Sequence, residues 1–95
     1  MRLVWSPRAL RDVDRVYRFL ADTHPGAAKR AASAIRKGVS PLREYPQMGR
    51  VVPDMPAGFR EWLVPFGQRG YVVFYHSDEA QVTILAVRHM SEAGY

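Results

Sequence analysis

The sequence predicts an α+β domain in which an N-terminal strand and a helical hairpin pack on a small antiparallel β-sheet. Its 95 residues are enough for one domain, spanning residues 1–95. Apolar residues recur at helical spacing in the first half, and β-branched and aromatic residues dominate short segments of the second half. Helices and strands segregated along the chain in this way are typical of the α+β class.

The first half predicts a short strand followed by a helix. Residues 2–5 are an apolar run typical of a strand, and Ser6 and Pro7 suit the N-cap and the first helical position. The helix continues through apolar residues at helical spacing: Leu10, Val13, Val16, Tyr17 and Leu20. The turn-forming segment Thr23-His24-Pro25-Gly26 then ends it.

A second helix follows, antiparallel to the first. Its apolar stripe contains Ala28, Ala31, Ala32, Ile35, Val39 and Leu42. Pro41 lies inside this stripe and removes a backbone hydrogen bond, which predicts a kink or break around Gly38–Ser40. Residues 46–58 contain three prolines and two glycines, so we expect a loop there.

The second half predicts three strands, Phe59–Val64, Tyr71–His76 and Gln81–Val87. The turns between them are expected at Pro65–Gly70 and Ser77–Ala80. Because short turns join neighbouring antiparallel strands, these segments predict an antiparallel meander.

Alternation along the strands divides their residues between the two faces of the sheet. One set contains Phe59, Glu61, Leu63, Tyr71, Val73, Tyr75, Thr83, Leu85 and Val87. The other contains Arg60, Trp62, Val64, Val72, Phe74, His76, Val82, Ile84, Ala86 and Arg88. Both sets are apolar in the middle, and the helices can cover only one face. Because arginines stand at the ends of the second set, we expect it to form an open face that another chain covers. The alternative is that residues 1–5 or 55–59 fold over it.

The charge of the chain is unevenly distributed. The formal net charge is +5. Residues 1–50 carry eleven Lys or Arg and four Asp or Glu, whereas residues 51–95 carry three and five. Twelve of the fourteen basic residues are arginines, which bind carboxylates and phosphates bidentately. The basic half therefore predicts either a solvated helical face or an acidic partner, namely nucleic acid or an acidic protein segment.

Composition also limits the chemistry and the location of the protein. The sequence contains no cysteine, which excludes disulfides and thiolate metal sites. His76 and His89 are expected roughly 20 Å apart at opposite ends of a hairpin, so we expect no shared metal site. Neither nucleotide-binding nor serine-hydrolase motifs occur, and we expect no cofactor. The N-terminal apolar run is too short for a signal peptide or a membrane span, so we expect a cytoplasmic protein.

One cluster of reactive side chains remains near the C-terminus. It comprises Arg88, His89 and Tyr95, with Arg60 upstream. Such residues can supply the cation, the base and the acid for RNA cleavage without a metal. Arginine and histidine at a strand end also serve as surface ion pairs or caps, so the residue types alone leave both interpretations open.

Several motifs, in their order along the chain, resemble the RelE/ParE toxins of bacterial type II toxin–antitoxin systems. The resemblance covers nearly the whole chain in five segments: Trp5-Ser6-Pro7-Arg8-Ala9-(x)2-Asp12-(x)4-Tyr17, Tyr45-Pro46-(x)2-Gly49-Arg50, Gly58-Phe59-Arg60-Glu61, Tyr71-Val72-Val73-Phe74-Tyr75 and Ile84-Leu85-Ala86-Val87-Arg88-His89. It implies a toxin that is neutralised by an antitoxin whose C-terminal segment wraps around it.

The resemblance implies one of two targets, since ParE-like members poison DNA gyrase and RelE-like members cleave mRNA on the ribosome. Arg60, Arg88 and Tyr95 correspond to three residues of the RelE-like cleavage site. Trp62 and Val72, however, stand where RelE has a lysine and an arginine. We therefore expect a ParE-like gyrase poison without a catalytic site. The alternative is a metal-independent, ribosome-dependent endoribonuclease, and a third hypothesis is a non-toxic basic binding module.

For either target we expect a hetero-oligomer with a cognate acidic antitoxin. An amphipathic antitoxin segment is expected to cover five residues of the predicted open face: Trp62, Val64, Val72, Phe74 and Ile84. Its acidic side chains are expected to meet Arg11, Arg15 and Arg18 of the first helix.

Overall fold

The computed structural model describes residues 1–92 and 94–95. The elements, in chain order, are strand β1 (Arg2–Trp5), helix α1 (Pro7–Ala21), helix α2 (Pro25–Val39), a 3₁₀ helix (Ser40–Arg43), and strands β2 (Arg50–Val51), β3 (Phe59–Phe66), β4 (Arg69–Ser77) and β5 (Gln81–His89). No helix of the described residues is long and apolar enough to cross a membrane. The predicted α+β class is confirmed.

The five strands form one sheet in the order β1-β5-β4-β3-β2. Strands β3, β4 and β5 form the predicted antiparallel meander, and β2 pairs with β3 in the antiparallel sense. Strand β1 pairs with β5 in parallel. Parallel neighbours need a long connection, and the chain between β1 and β5 contains both helices and the other three strands. The two-residue strand β2 lies in the segment that we expected to be a loop.

The start of α1 is built as the sequence predicts. Ser6 is the N-cap, and its hydroxyl accepts a hydrogen bond from the backbone N–H of Ala9 at 3.0 Å. The same hydroxyl donates to the carbonyl of Leu85 at 3.0 Å. One turn further, the Asp12 carboxylate accepts the backbone N–H of Val87 at 2.9 Å. These side chains of α1 bind the edge of β5 beyond the point where β1 ends, and so fix α1 on the sheet.

The predicted break near Pro41 is also confirmed. Helix α2 ends at Val39, and the chain continues as the 3₁₀ helix that contains Pro41. Val39 and Leu42 remain fully buried on either side of the break. The change of helix type therefore accommodates proline without removing the apolar stripe from the core.

The turn between β3 and β4 is shorter than predicted. Only Gly67 and Gln68 connect the two strands, and Gly67 adopts a φ of 62°. A two-residue hairpin turn favours glycine at such a position because other residues rarely adopt a positive φ. The strands therefore extend through Phe66 and from Arg69, inside the expected turn at Pro65–Gly70.

This short turn changes which residues share a face. Arg60 pairs with Tyr75 and Trp62 with Val73, so even-numbered residues of β3 lie beside odd-numbered residues of β4. A β-bulge then shifts the register between β4 and β5 near Leu85. The prediction assigned residues to faces by alternation alone and took no account of these shifts in register. The predicted assignment of strand residues to the two faces is therefore wrong.

Five residues expected on the open face lie on the helix-covered face: Arg60, Trp62, Val64, Val82 and Ile84. Val64 and Ile84 are 2% and 0% exposed within the main core. The indole of Trp62 donates its Nε1–H to the carbonyl of Gly38 in α2 at 2.9 Å. Val72 and Phe74 lie on the opposite, open face, as expected.

The core lies between the helices and the covered face of the sheet. Its buried members are Ala9, Val16, Ala31, Ile35, Val39, Leu42, Val64, Tyr71, Val73, Tyr75, Val82, Ile84 and Val87. Tyr75 also fixes the loop that precedes β2, because its hydroxyl accepts the N–H of Gly49 and donates to the carbonyl of Pro46. A side chain at position 49 would collide with Tyr75, which explains glycine there.

Candidate functional site

The open face of the sheet is apolar at its centre and carries charge at its edges. Its side chains come from the three long strands: Phe59, Glu61 and Leu63 of β3, Val72, Phe74 and His76 of β4, and Thr83, Leu85, Ala86 and Arg88 of β5. Leu63 is 45% exposed, an unusual fraction for a large apolar residue. Exposed apolar surface of this kind is typical of a binding surface.

Tyr95 lies across the middle of this face. Its ring packs on Phe74 with 5.3 Å between ring centroids, and the guanidinium carbon of Arg88 lies 5.1 Å from the Tyr95 ring centroid. Its hydroxyl donates to Oε2 of Glu61 at 2.6 Å. Burial and the neighbouring Glu61 carboxylate raise the pKa of Tyr95 well above its ordinary value. The phenol therefore stays protonated at neutral pH and acts here as a donor.

Glu61 is the central polar group of the open face. Partial burial alone would raise its pKa, but hydrogen bonds from Tyr95 and Arg50 and the charges of Arg50 and Arg88 lower the pKa overall. Arg50 donates to Oε1 of Glu61 through Nε at 3.1 Å and Nη2 at 2.9 Å. Glu61 is therefore ionised, and its negative charge offsets the positive charge of Arg88 on this face.

Arg88 is held against the C-terminal segment. Its Nη1 donates to the carbonyl of Glu92 at 2.9 Å. Among the described residues, its buried Nε atom has no hydrogen-bond partner. A buried donor without a partner is costly, and such groups often mark a place where a ligand or water binds.

The four predicted catalytic residues do not form one site. Arg88 and Tyr95 are in contact on the open face. Arg60 lies on the helix-covered face, where its Nη1 donates to the carbonyl of Gly49 at 2.8 Å. His89 also lies on that face, beside Tyr71. Of these four side chains, which are catalytic only under the RelE-like alternative, the structure brings Arg88 and Tyr95 together and places Arg60 and His89 on the other face.

A second surface runs along α1. A groove of about 360 Å³ lies between α1, the end of the β3–β4 hairpin and the C-terminal segment. Its apolar walls are Val16, Phe19, Leu20, Phe66 and Tyr71. Phe19 is 81% exposed, so its side chain is accessible to another molecule.

The three arginines predicted to meet the antitoxin lie along the same helix. Arg11, Arg15 and Arg18 line a shallow depression next to Phe19. Arg15 pairs with Glu92 at 3.1 Å, and Arg18 pairs with Asp14 at 2.9 Å. The predicted antitoxin contacts thus divide between two surfaces, since Val72 and Phe74 face away from the helical layer.

Two important residues were missing from the sequence prediction. Phe19 falls outside the apolar stripe of α1, whereas Leu10, which we included in the stripe, is 58% exposed. A bulky aromatic on the polar side of an amphipathic helix is the signal that identifies Phe19. Glu61 is a carboxylate that follows Arg60 in β3, which is a weaker signal because charged residues are common on the exposed face of a strand.

In residues 1–92 and 94–95, no group of three or more His, Cys, Asp or Glu side chains could hold a metal ion.

Comparisons with known proteins place the chain among toxins. The family described as ParE toxin of type II toxin-antitoxin system, parDE, matches residues 3–94. Toxin RelE3 of Caulobacter vibrioides (strain ATCC 19089 / CIP 103742 / CB 15) is 35% identical over 87 residues, which cover 92% of this chain and 91% of that protein. Toxin RelE2 of the same strain is 32% identical over 88 residues, which cover 93% of each protein.

Two solved structures share the fold. A chain of the chromosomal ParDE TA system from P. aeruginosa superposes with a TM-score of 0.75 at 22% identity, covering 94% of this chain and 95% of that chain. A conserved hypothetical protein from Helicobacter pylori gives a TM-score of 0.54 at 16% identity, covering 97% of each chain. These likenesses support the fold alone.

Replacing Glu61 by glutamine should change the pH dependence of stability. Because folding lowers the pKa of this carboxyl, its ionised form stabilises the fold above the ordinary pKa, and the contribution disappears as the pH falls through the lowered value. Thermal unfolding from about pH 7 to pH 3 should therefore show a smaller acid-induced loss of Tm for Glu61→Gln than for the unmodified chain. Glu44→Gln, at an exposed position, is the control. An equally steep loss in Glu61→Gln would contradict the assignment.

Proposed function

Since this chain belongs to the ParE toxin family of type II toxin–antitoxin systems, we propose that it stops growth by protein contact with DNA gyrase. It is a toxin of the ParE/RelE superfamily, and membership of that superfamily implies a cognate antitoxin. Gyrase acts in the cytoplasm, so we propose that the chain acts there too.

The separation of Arg60 from Arg88 is the observation that supports a target other than RNA. Phosphate cleavage without a metal needs several cations around one phosphate, and each such contact contributes about 2–4 kcal/mol to the transition state. Arg60 lies across the sheet from Arg88, and the Glu61 carboxylate lies beside Arg88. A carboxylate at this place repels the nucleic-acid backbone.

The second candidate function is ribosome-dependent mRNA cleavage. The contact between Arg88 and Tyr95 favours it, because a cation and a protonated phenol are the groups that bind a phosphate and protonate a leaving oxygen. Relatives that carry the name RelE also favour it. Under this alternative, Arg88→Ala and Tyr95→Phe should each abolish cleavage.

We propose that the antitoxin binds the α1 groove and the arginines beside it. An amphipathic acidic segment can insert apolar side chains next to Phe19 and place carboxylates near Arg11 and Arg18. A segment that continues past the edge of the sheet reaches Val72 and Phe74 on the open face. The antitoxin therefore contacts both surfaces only if it wraps around the domain.

Induction of the chain in cells, with parallel assays of plasmid supercoiling and of mRNA by primer extension, tests the target. We expect inhibited supercoiling or trapped cleaved DNA together with intact mRNA. Purified gyrase should be inhibited in the same way by Tyr95→Phe, because no proton transfer is involved. Codon-linked mRNA cuts that disappear in Arg88→Ala would instead establish the nuclease. Growth without arrest would favour a non-toxic binding module.

The double substitution Arg11→Glu and Arg18→Glu should weaken the antitoxin complex by at least about tenfold, because two attractive contacts become repulsive. Most of the change should be lost at high salt, where exposed charges are screened. Lys29→Glu with Lys37→Glu, an equal charge change at exposed positions of α2, is the matched control. Calorimetry on the purified chain and its antitoxin measures the affinity. Equal weakening by both pairs would exclude a specific role for the α1 arginines.

A further inference from the structure

The open face contains a small binding slot, which we call the aromatic slot. The rings of Phe59 and Phe74 stack on each other, with 5.7 Å between their centroids and 19° between their planes, and form its aromatic wall. Val72 and Ala86, which are 3% and 2% exposed, lie beside this wall on the same face. Glu61 and Arg88 provide the charged groups of the slot. The slot thus offers an apolar wall, a hydrogen-bond acceptor and a cation.

Tyr95 contacts three of these groups in the free chain. Its ring contacts Phe74 and Arg88, and its hydroxyl donates to Glu61. Even so, Tyr95 is 45% exposed. One hydrogen bond and two ring contacts hold it, and each is a weak interaction at a partly exposed position. A competing aromatic group can therefore replace it.

Tyr95 covers only part of the aromatic slot. Leu63 remains 45% exposed beside the slot. Among the described residues, the buried Nε–H of Arg88 stays without an acceptor. A larger occupant that covers Leu63 and brings a carbonyl to Arg88 would bury more apolar surface and complete this hydrogen bond.

We propose that the aromatic slot binds a tyrosine or tryptophan side chain of a protein partner, and that Tyr95 occupies the slot until that partner replaces it. Tyrosine and tryptophan combine a flat apolar ring with one donor, which is the chemistry that Phe74 and Glu61 recognise. Such residues are frequent anchors of protein interfaces. A nucleotide base also stacks on aromatic rings, but its phosphate would lie near the Glu61 carboxylate. The proposal concerns this slot alone and does not depend on gyrase as the target.

Titration of the isotope-labelled chain with p-cresol, the side-chain analogue of tyrosine, tests the proposal by NMR. In Tyr95→Ala, p-cresol should cause saturable shifts at Phe74, Ala86 and Arg88. The unmodified chain should bind it about tenfold more weakly, because tethered Tyr95 competes at an effective concentration in the millimolar range. Tyr45→Ala, which removes a tyrosine that is 59% exposed, is the control and should bind like the unmodified chain.

Two further probes define the chemistry of the slot. Toluene lacks the hydroxyl and should bind Tyr95→Ala more weakly than p-cresol, and Glu61→Gln in that background should reduce the difference. Uridine 5′-monophosphate should not cause saturable shifts. The proposal is overturned if p-cresol causes no saturable shift at the slot in the folded Tyr95→Ala chain. Equal affinity for the unmodified chain, or tighter binding of the nucleotide, would also overturn it.

Discussion

Two helices of fifteen residues each can cover only one face of a five-stranded sheet. At 1.5 Å per residue each helix is about 22 Å long, and two helices packed about 10 Å apart match one face of strands spaced about 4.8 Å apart. Ser6 and Asp12 bind α1 to the backbone of β5, so the helical layer has a fixed position. The opposite face of the sheet consequently lacks a helical layer, and its chemistry governs what the domain can bind.

Residues that are neighbours in sequence, or that are of the same type, can lie on opposite faces of the sheet. Arg60 lies on the covered face, where it donates a hydrogen bond to the carbonyl of Gly49. Arg88 lies on the open face with Glu61 and Tyr95. The open face is therefore an apolar surface on which the Glu61 carboxylate offsets part of the positive charge of Arg50 and Arg88. Such a surface suits a protein partner better than a phosphate backbone. The arginines of α1, in contrast, form a basic strip suited to an acidic segment.

Local signals in the sequence were sufficient for much of the fold. Ser6 and Pro7 predict the start of α1 because a cap acts on neighbouring backbone, and Pro41 predicts the end of α2 for a similar local reason. The faces of the sheet could not be predicted in this way. They depend on the registers set by the β3–β4 and β4–β5 turns, which place odd-numbered residues beside even-numbered ones, and on the bulge near Leu85, which changes this pairing again within β5. The contact between Glu61 and Tyr95 joins residues 34 positions apart, for which no local pattern exists.

The assignment of faces can be tested directly, because the chain contains no cysteine and a single one can be introduced at will. Leu63 and Val64 are neighbours on β3 that are 45% and 2% exposed. The account predicts that a maleimide labels Leu63→Cys nearly as fast as a free thiol. Val64→Cys should react at least roughly 100-fold more slowly, because labelling there requires local opening of the core. Equal rates, or faster labelling at position 64, would contradict the claim that the helices cover one face and leave the other accessible.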